Sequence, residues 1–568
     1  MKEFKDKCLQ LTEGDEFYSW AGYMLLALAL VVIVVAQSGF WGFVQDDSFI
    51  TLRYSRNLVE GNGIVFNPGE RVEGYTNFLW MIIGALFIFL GLPAMKALII
   101  FGALCGLALV VFMPFLSAAL RQERHLTWDS LSALFLAAST TLALWSVSGL
   151  EQAFFALCGW LGFYFVLLKK PWPACAFFSV TLLTRPEGAL FPAFSAFYLF
   201  ILFLTGEQEG ETVEGLPERE TWRIFVKPLF CLATVFLAYH CWRFWYFGDH
   251  LPNTYYVKGG GGWTNVKFGW LNIKKLWNFN SNGFFIALAP LALIPRKGRA
   301  ATLSLVIFLG AYLLYQIKIG GDILPMYRLH LTILPAQMLL ACRAIEGMTA
   351  LFAEIIKDEY QPWRRLVWPL VLIYLVGPTV FSMYQTSIGH TEYKGVQTSL
   401  DAAHGAIGRY LERNANPGDL AVAQDMGAMP WHAPSVIFLD TIGLVDRTMA
   451  HTHYAESYTP YIRYLLWSDE KARQRIKAME ARLRRYTFSR NPRWFVINVD
   501  TPPDKYDEVI EALRSRHGEY FAPYSEANVF FYDLGQAPEW ANYRFVKGWE
   551  YSNVHFLLLY ERMDSLTE

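Results

Sequence analysis

Charge is what this chain has least of. Only 17% of its 568 residues are Asp, Glu, Lys or Arg, whereas a soluble domain carries about 25%. The formal net charge is −1, so the chain shows no basic excess to neutralise a phosphate backbone and gives no sign of nucleic-acid binding. Cysteine is sparse and unpatterned: seven residues, at 8, 105, 158, 175, 231, 241 and 342, with no C-x-x-C and none after 342. Neither a disulfide framework nor a metal-ligand spacing is indicated, and thiols inside apolar runs act as small hydrophobes. G-x-S-x-G, H-E-x-x-H and a nucleotide fingerprint are missing as well. The run "KGGGGWTN" at 258–265 lacks the Gly-Lys-Ser/Thr ending of a P-loop and reads as flexible loop.

What the chain has instead is apolar and aromatic residues. It is 54% hydrophobic, with 20 Trp, 30 Tyr and 44 Phe, and Trp and Tyr favour the bilayer–water boundary. Apolar runs near the ~20 residues that cross hydrocarbon fall at 21–43, 95–120, 130–147, 150–168, 172–184, 187–205, 224–242, 281–295, 300–318, 330–347 and 366–386. The expected architecture is a polytopic α-helical membrane protein of about 11 to 12 spans, followed by a soluble α/β domain. The boundaries expected are a cytoplasmic N-terminus over 1–20, a transmembrane domain over 21–386 and an extracytoplasmic domain over 387–568. The first apolar run has no clear small-residue cleavage site and reads as a retained span.

Lys and Arg in short loops set sidedness. "KKP" at 169, "IPRKGRA" at 295 and "PWRR" at 362 read as cytoplasmic. Alternation then puts "SGLEQ" at 148, "TRPEG" at 184, the 243–280 loop, "KIGGDILPMYR" at 318 and the tail on the opposite side. The segment "FLWMIIGALFIFLG" at 78 strains this count, and reads either as a re-entrant or interfacial helix or as a miscounted boundary.

The first apolar run opens directly onto "QDDSFITLRYSRNLVEGNGIVFNPGERVEGYTNFLW" at 45–80. Asp46, Asp47 or Ser48 can each cap the helix that follows, and aspartates there complement its dipole. Phe49, Leu52 and Leu58 share a side of that helix while Arg53 and Arg56 lie elsewhere. A turn at Asn67, Pro68 and Gly69 then leads to Glu70, Glu73 and Tyr75. A surface helix followed by a fixed loop of charges can lie on a membrane and hold carboxylates over its edge, within reach of a lipid-linked substrate.

This segment resembles the first extracytoplasmic loop, here about residues 44–77, of the GT-C superfamily of membrane glycosyltransferases. Within it, the chain is most similar to bacterial terminal arabinofuranosyltransferases that use decaprenyl-phospho-arabinose. The resemblance is carried by that segment together with "SGLEQAFFAL", "LLTRPEGAL", "RFWYFGDHLPNTYYVK", "GGDILPMYR" and "LDTIGLVD", which follow in order along most of the chain. It implies that Asp46 and Asp47 lie at a catalytic centre. It also implies a polyprenyl-phosphate sugar donor in the membrane and an acceptor on the extracytoplasmic side. The acidic insert "GEQEGETVEGLPERET" at 206–221 and details of the tail depart from the arabinosyl pattern, which leaves the transferred sugar open.

The other motifs each admit two readings. Arg185 and Glu187 of "TRPEG" are either a brace at an interfacial turn or substrate ligands, since ionisable groups at a span end are costly unless paired or wet. In "LPNTYYVK", Asn253 and Tyr255 are substrate-binding candidates, and Lys258 is a cation for a lipid phosphate or a snorkelling lysine. "GGDILPMYRLH" brings Asp322 and Arg328 to another span end, with Arg328 a fork suited to phosphate oxygens; His330 reads as an ordinary interfacial histidine. In the tail, "AIGRYLER" and "KYDEVIEALRSRHGEY" read as helices, and "DLAVAQ", "SVIFLD", "RWFVINVD" and "ANVFFYDLG" as strands. Asp425, His432, Asp440 and Asp446 either line an acceptor groove or support turns.

The function expected is inverting transfer of a sugar, a pentofuranose such as arabinose on the resemblance, from a polyprenyl-phosphate donor to an extracytoplasmic glycan, lipid or protein. Asp46 or Asp47 would take the acceptor proton, and Arg328, Lys258 and Arg185 would meet the departing phosphate. Glu73, Tyr75, Glu187, Asn253, Tyr255 and Asp322 complete the expected substrate contacts. No cofactor motif is present; a divalent cation (Mg, Mn or Ca) bridging Asp46, Asp47 and the phosphate would serve the same chemistry. The expected location is the bacterial cytoplasmic membrane. Rival readings are a transporter or flippase for lipid-linked sugars, a sensor or envelope assembly factor, and a phosphoethanolamine transferase or glycan ligase. The first would show internally repeated halves, of which the sequence gives no sign.

Overall fold

In the computed structural model of the chain, the residues described are 2–205, 220–259, 262–279, 283, 286–287, 289–322, 324–355, 382–390, 393, 400–459, 470–500, 534, 537–552 and 555–563. Expectations for "PWRR", most of the acidic insert, nearly all of the 366–386 span, the helix over 505–520 and nearly all of the strand around 527–535 lie outside them. The chain divides into two compact units. One comprises Met1–Gly42, Leu98–Tyr239 and Trp270–Glu392, the other Phe43–Ala97, His240–Gly269 and Tyr393–Glu568.

Along the chain run α1 (Lys2–Gly39), α2 (Asp47–Val59), α3 (Phe78–Phe89), α4 (Ala94–Arg121), α5 (Leu126–Ala137), α6 (Thr140–Ser146), α7 (Gln152–Leu167), α8 (Pro171–Thr184), α9 (Leu190–Thr205), α10 (Trp222–Phe247), α11 (Asn253–Gly259) and α12 (Gly262–Asn278). Among the described residues, five helices are long and apolar enough to cross a membrane: Trp20–Gly39, Ala94–Arg121, Pro186–Thr205, Trp222–Phe247 and Arg299–Lys318. A sixth candidate is the pair Pro325–Thr332 and Leu334–Thr349, bent by 72°. The expected runs at 150–168 and 172–184 form the shorter helices α7 and α8. The run at 130–147 is broken at Ala138–Ser139, where Ser139 turns outside helical geometry and its hydroxyl accepts from the Leu142 amide. α3 has 12 residues; at 1.5 Å each they cover about 18 Å, short of the ~30 Å hydrocarbon core.

The first unit is held by aromatic packing and buried ion pairs. Trp160 packs against Phe163, Phe191, Phe194 and Phe308 at 5.7–6.1 Å between ring centroids. Asp129 accepts from Ser117 at 2.7 Å and from Arg121 at 3.2 Å, and Arg121 also reaches Glu346.

The second unit is built on a five-stranded sheet in the order β2-β1-β3-β5-β4, with β1 Leu420–Ala423, β2 Ile437–Asp440, β3 Trp494–Asp500, β4 Tyr543–Ser552 and β5 His555–Arg562. β1 pairs in parallel with β2 and β3, and β5 antiparallel with β3 and β4. Side chains alternate faces along a strand. Ala421, Ala423, Trp494, Val496, Leu557 and Leu559 therefore point one way, onto Ile50, Tyr54, Ile64, Phe66, Tyr75 and Met81. Val422, Phe495, Ile497, Phe556, Leu558 and Tyr560 point the other way, onto Ile476, Met479 and Leu483 of the helix Glu470–Ser489. Both faces are covered, which is why these strands read as unbroken apolar runs.

This packing corrects the reading of α2 as a surface helix. Ser48, Ile50, Thr51, Leu52, Arg53, Tyr54, Ser55 and Asn57 are all buried. Arg53 is 3% exposed and spends its guanidinium on the carbonyls of Phe66, Pro430, Ala433 and Val436, with its plane over Phe66 and Phe438. The reading of 258–265 as flexible loop is corrected too, since helix α12 begins at Gly262.

Candidate active site

The site is built where α2 begins. Asp46 precedes the helix but makes no side-chain cap on it. Its carboxylate turns to the tail, where Oδ2 accepts from the Gly427 amide at 3.0 Å and Oδ1 from the Ala428 amide at 2.8 Å. Gly427 stands directly ahead of the short helix Ala428–His432. A Cβ on Gly427 would overlap both the backbone oxygen and the carboxyl of Asp46. Asp47 opens the first turn of α2, half-buried beside it.

A second polar group adjoins. His404, 4% exposed, sets Nε2 2.9 Å from Asp425 Oδ2, which also accepts from Asn498 at 2.7 Å. The Tyr551 ring stands 4.8 Å from the His404 ring, edge-on. These groups share one electrostatic neighbourhood. Burial pushes the Asp46 carboxyl up to about 6; His404 opposes the rise, Asp425 and Asp47 add to it, and the Ala428 hydrogen bond restrains it. Burial works against a charged His404, yet its bond to Asp425 and the nearby Asp46 hold it above its ordinary value. Burial likewise opposes ionised Asp425, and the bonds from His404 and Asn498 outweigh that, holding it low. The ensemble is a fixed carboxylate raised by burial to about 6, next to an imidazole whose charged form Asp425 and Asp46 favour. That is a competent proton acceptor.

The remaining candidates fall in distinct places. In this unit Glu73 forms a buried ion pair with Arg243, at 2.8 Å to Nε and 2.5 Å to Nη2. Tyr75 packs among Tyr54 and Phe247. Asn253 donates to the carbonyls of Gly443 and Asp446. These three build the interior. Tyr255 and Lys258 on α11 are exposed, Tyr255 beside Tyr256 and Tyr454. Asp440 receives the amides of Ile442 and Val445, and Asp446 that of Met449, so both support turns. In the first unit Arg185 pairs with Glu187 at 2.5 Å and with Glu151, the brace geometry. Asp322 accepts from Arg328 at 3.3 Å and from the amides of Leu324 and Leu329, while Arg328 lies 5.8 Å from the Trp145 ring.

Sequence reasoning missed His404, Gly427, Arg243 and Asn498. "DAAHGAIG" hid a histidine inside an apolar helix pattern, where core packing is the ordinary expectation. Gly427 of "DMGAMP" had the sole signal of a glycine two residues after an aspartate. As for a cation, no group of three or more His, Cys, Asp or Glu among the described residues is disposed to hold one. Each Asp46 oxygen accepts one amide hydrogen and keeps a second lone pair, with Asp47 the neighbouring carboxylate.

Residues 388–556 match a family model described as a domain of unknown function (DUF8728). Over 365 residues the chain is 27% identical to a terminal beta-(1->2)-arabinofuranosyltransferase of Corynebacterium glutamicum, covering 54% of this chain and 49% of the relative. It is 29% identical to the protein of the same name from Mycobacterium tuberculosis over 257 residues, 42% of this chain and 39% of the relative. The chain thus spans about half or less of the curated relatives it matches. Among solved structures, ArnT from Cupriavidus metallidurans bound to undecaprenyl phosphate superposes with a TM-score of 0.52 at 14% identity, over 94% of this chain and 97% of ArnT. The oligosaccharyltransferase AglB from Archaeoglobus fulgidus, in complex with an inhibitory peptide and a dolichol-phosphate, gives 0.51 at 10% identity, over 84% of this chain and 69% of AglB. The chain is therefore a multi-pass membrane protein with the GT-C glycosyltransferase fold and a sequence relative of terminal beta-(1->2)-arabinofuranosyltransferases.

Proposed function

We propose that the chain transfers a sugar from a polyprenyl-phosphate donor to an extracytoplasmic acceptor, with Asp46 as the proton acceptor and Asp47 beside it. The observation that carries this is the Asp46 carboxylate, fixed by the Gly427 and Ala428 amides against the His404–Asp425 pair. The acceptor hydroxyl gives its proton to Asp46 as its oxygen attacks the anomeric carbon. The new carbon–oxygen bond forms as the bond to the phosphate oxygen breaks, the electron pair leaves with the polyprenyl phosphate, and one displacement inverts the configuration. The two relatives' names support a furanosyl pentose, and arabinose is the sugar to try first. Polyprenyl phosphates in the ArnT and AglB structures support the donor class.

Lys258 is the cation we assign to the donor phosphate. Arg328 is a second candidate; Arg185 is a weaker one, because Glu151 and Glu187 already occupy its fork. Purified full-length protein, a polyprenyl-phospho-arabinofuranose and cell-envelope glycan acceptors supply the test. Asp46→Asn and Asp47→Asn should each abolish transfer in protein that still folds. Wild-type turnover in both would reject the assignment.

A further inference from the structure

α12 carries a pattern that sugar transfer does not use. Trp263, Trp270 and Trp277 recur every seven residues, which on a helix is two turns less about 20°, so they form one stripe. They are 81%, 51% and 47% exposed. Lys267 and Lys274 follow Trp263 and Trp270 by four residues, placing them beside the stripe, and the Lys274 ammonium lies 5.8 Å from the Trp270 ring. Lys275 and Leu271 extend the same side. Opposite, Asn265, Gly269 and Leu276 are buried. Residues 262–278 contain three lysines and neither Asp nor Glu, and α12 is not among the helices apolar enough to span a bilayer.

We infer that α12 is an interfacial helix whose tryptophan stripe lies in the headgroup layer of a lipid leaflet and whose lysines bind anionic headgroups there. Indole rings are stable at that depth, with an apolar body and an N–H for carbonyl or phosphate oxygens. A basic, acid-free amphipathic helix is complementary to an anionic leaflet. A second copy of this chain fits the face poorly, because a two-fold contact would press two lysine-bearing, acid-free faces together. The inference stands independently of the chemistry proposed for Asp46.

The test uses full-length protein with native cysteines replaced and a nitroxide at Trp270→Cys, in vesicles of phosphatidylcholine with or without phosphatidylglycerol. The label should be relaxed by lipid-soluble oxygen more than by an aqueous nickel chelate, unlike a label at Asn414→Cys on the exposed tail. Trp263→Cys serves should the first variant fail to fold. Native mass spectrometry should show phosphatidylglycerol retained, and lost by about fivefold per lysine in Lys267→Gln, Lys274→Gln and Lys275→Gln. A label as open to nickel as Asn414→Cys, phosphatidylglycerol retention unchanged in the triple variant, or disulfide cross-linking of two chains through Trp270→Cys would each overturn the assignment.

Discussion

Gly427 has no side chain where the Asp46 carboxylate lies, and its amide donates to Asp46 Oδ2 at 3.0 Å. The fit depends on that missing methyl group, since a Cβ would meet both the backbone oxygen and the carboxyl of Asp46. Gly427→Ala should therefore lower kcat as severely as Asp46→Asn, by on the order of a hundredfold or more for a lost general base, with little change in KM for the donor. Transfer assays on both variants check this, and near-normal kcat in Gly427→Ala would separate the glycine from the chemistry.

The acid limb of activity should report Asp46. Its ionised form accepts the proton, and its carboxyl is held up to about 6 by burial. kcat/KM should thus rise with pH through about 6 and level off above it. His404 is held above its ordinary value and supplies positive charge that favours ionised Asp46. Removing that charge in His404→Gln takes away the largest influence lowering Asp46 and leaves burial, Asp425 and Asp47 raising it, so the limb should move to higher pH. A pH–rate profile measures it; an unmoved limb would mean that His404 only packs.

Glu73 and Arg243 form a buried pair with both side chains under 10% exposed. Arg243→Met strands the carboxylate and should cost about 3–5 kcal/mol. Glu73→Gln combined with Arg243→Met should be less destabilised than the sum of the single variants, because neither charge is then left alone. Thermal unfolding of purified protein gives the cycle.

Arg53→Lys keeps the charge and removes the fork. One ammonium cannot serve carbonyls at residue 66 and at residues 430, 433 and 436, and each buried acceptor left unpaired costs about 1–3 kcal/mol. The variant should unfold at lower temperature than wild type, whereas an unchanged midpoint would place the binding energy in ring stacking alone.

β1, β2 and β3 were readable because a strand buried on both faces leaves an apolar run of strand length with turn residues at its ends. The helix at 406–414 was readable from its period. The acidic pair stood out because carboxylates directly after a membrane-length run are costly without a use. The partners of that pair were not legible, since Gly427 lies 381 residues from Asp46 and nothing local marks it as a hydrogen-bond donor. Arg53 was misassigned for a related reason: an arginine on a helix ordinarily faces water, and only the distant carbonyls of residues 430–436 make burial tolerable. α12 was obscured by its glycine run, though the seven-residue tryptophan spacing was there to count. β5 carries the apolar run FLLLY, which reads like β1 to β3 and pairs with β3, whereas the mixed pattern of β4 is fixed only by its pairing to β5.

Arg53, Asn67 and Asp46 all hydrogen-bond to residues between 427 and 438. During synthesis on the ribosome the opening loop thus emerges hundreds of residues before its partners do. Until translation has passed residue 438, a guanidinium, a carboxamide and a carboxylate await acceptors and donors that do not yet exist. A chain cut short by a premature stop before residue 427 would carry the acidic pair without the two amides that fix Asp46.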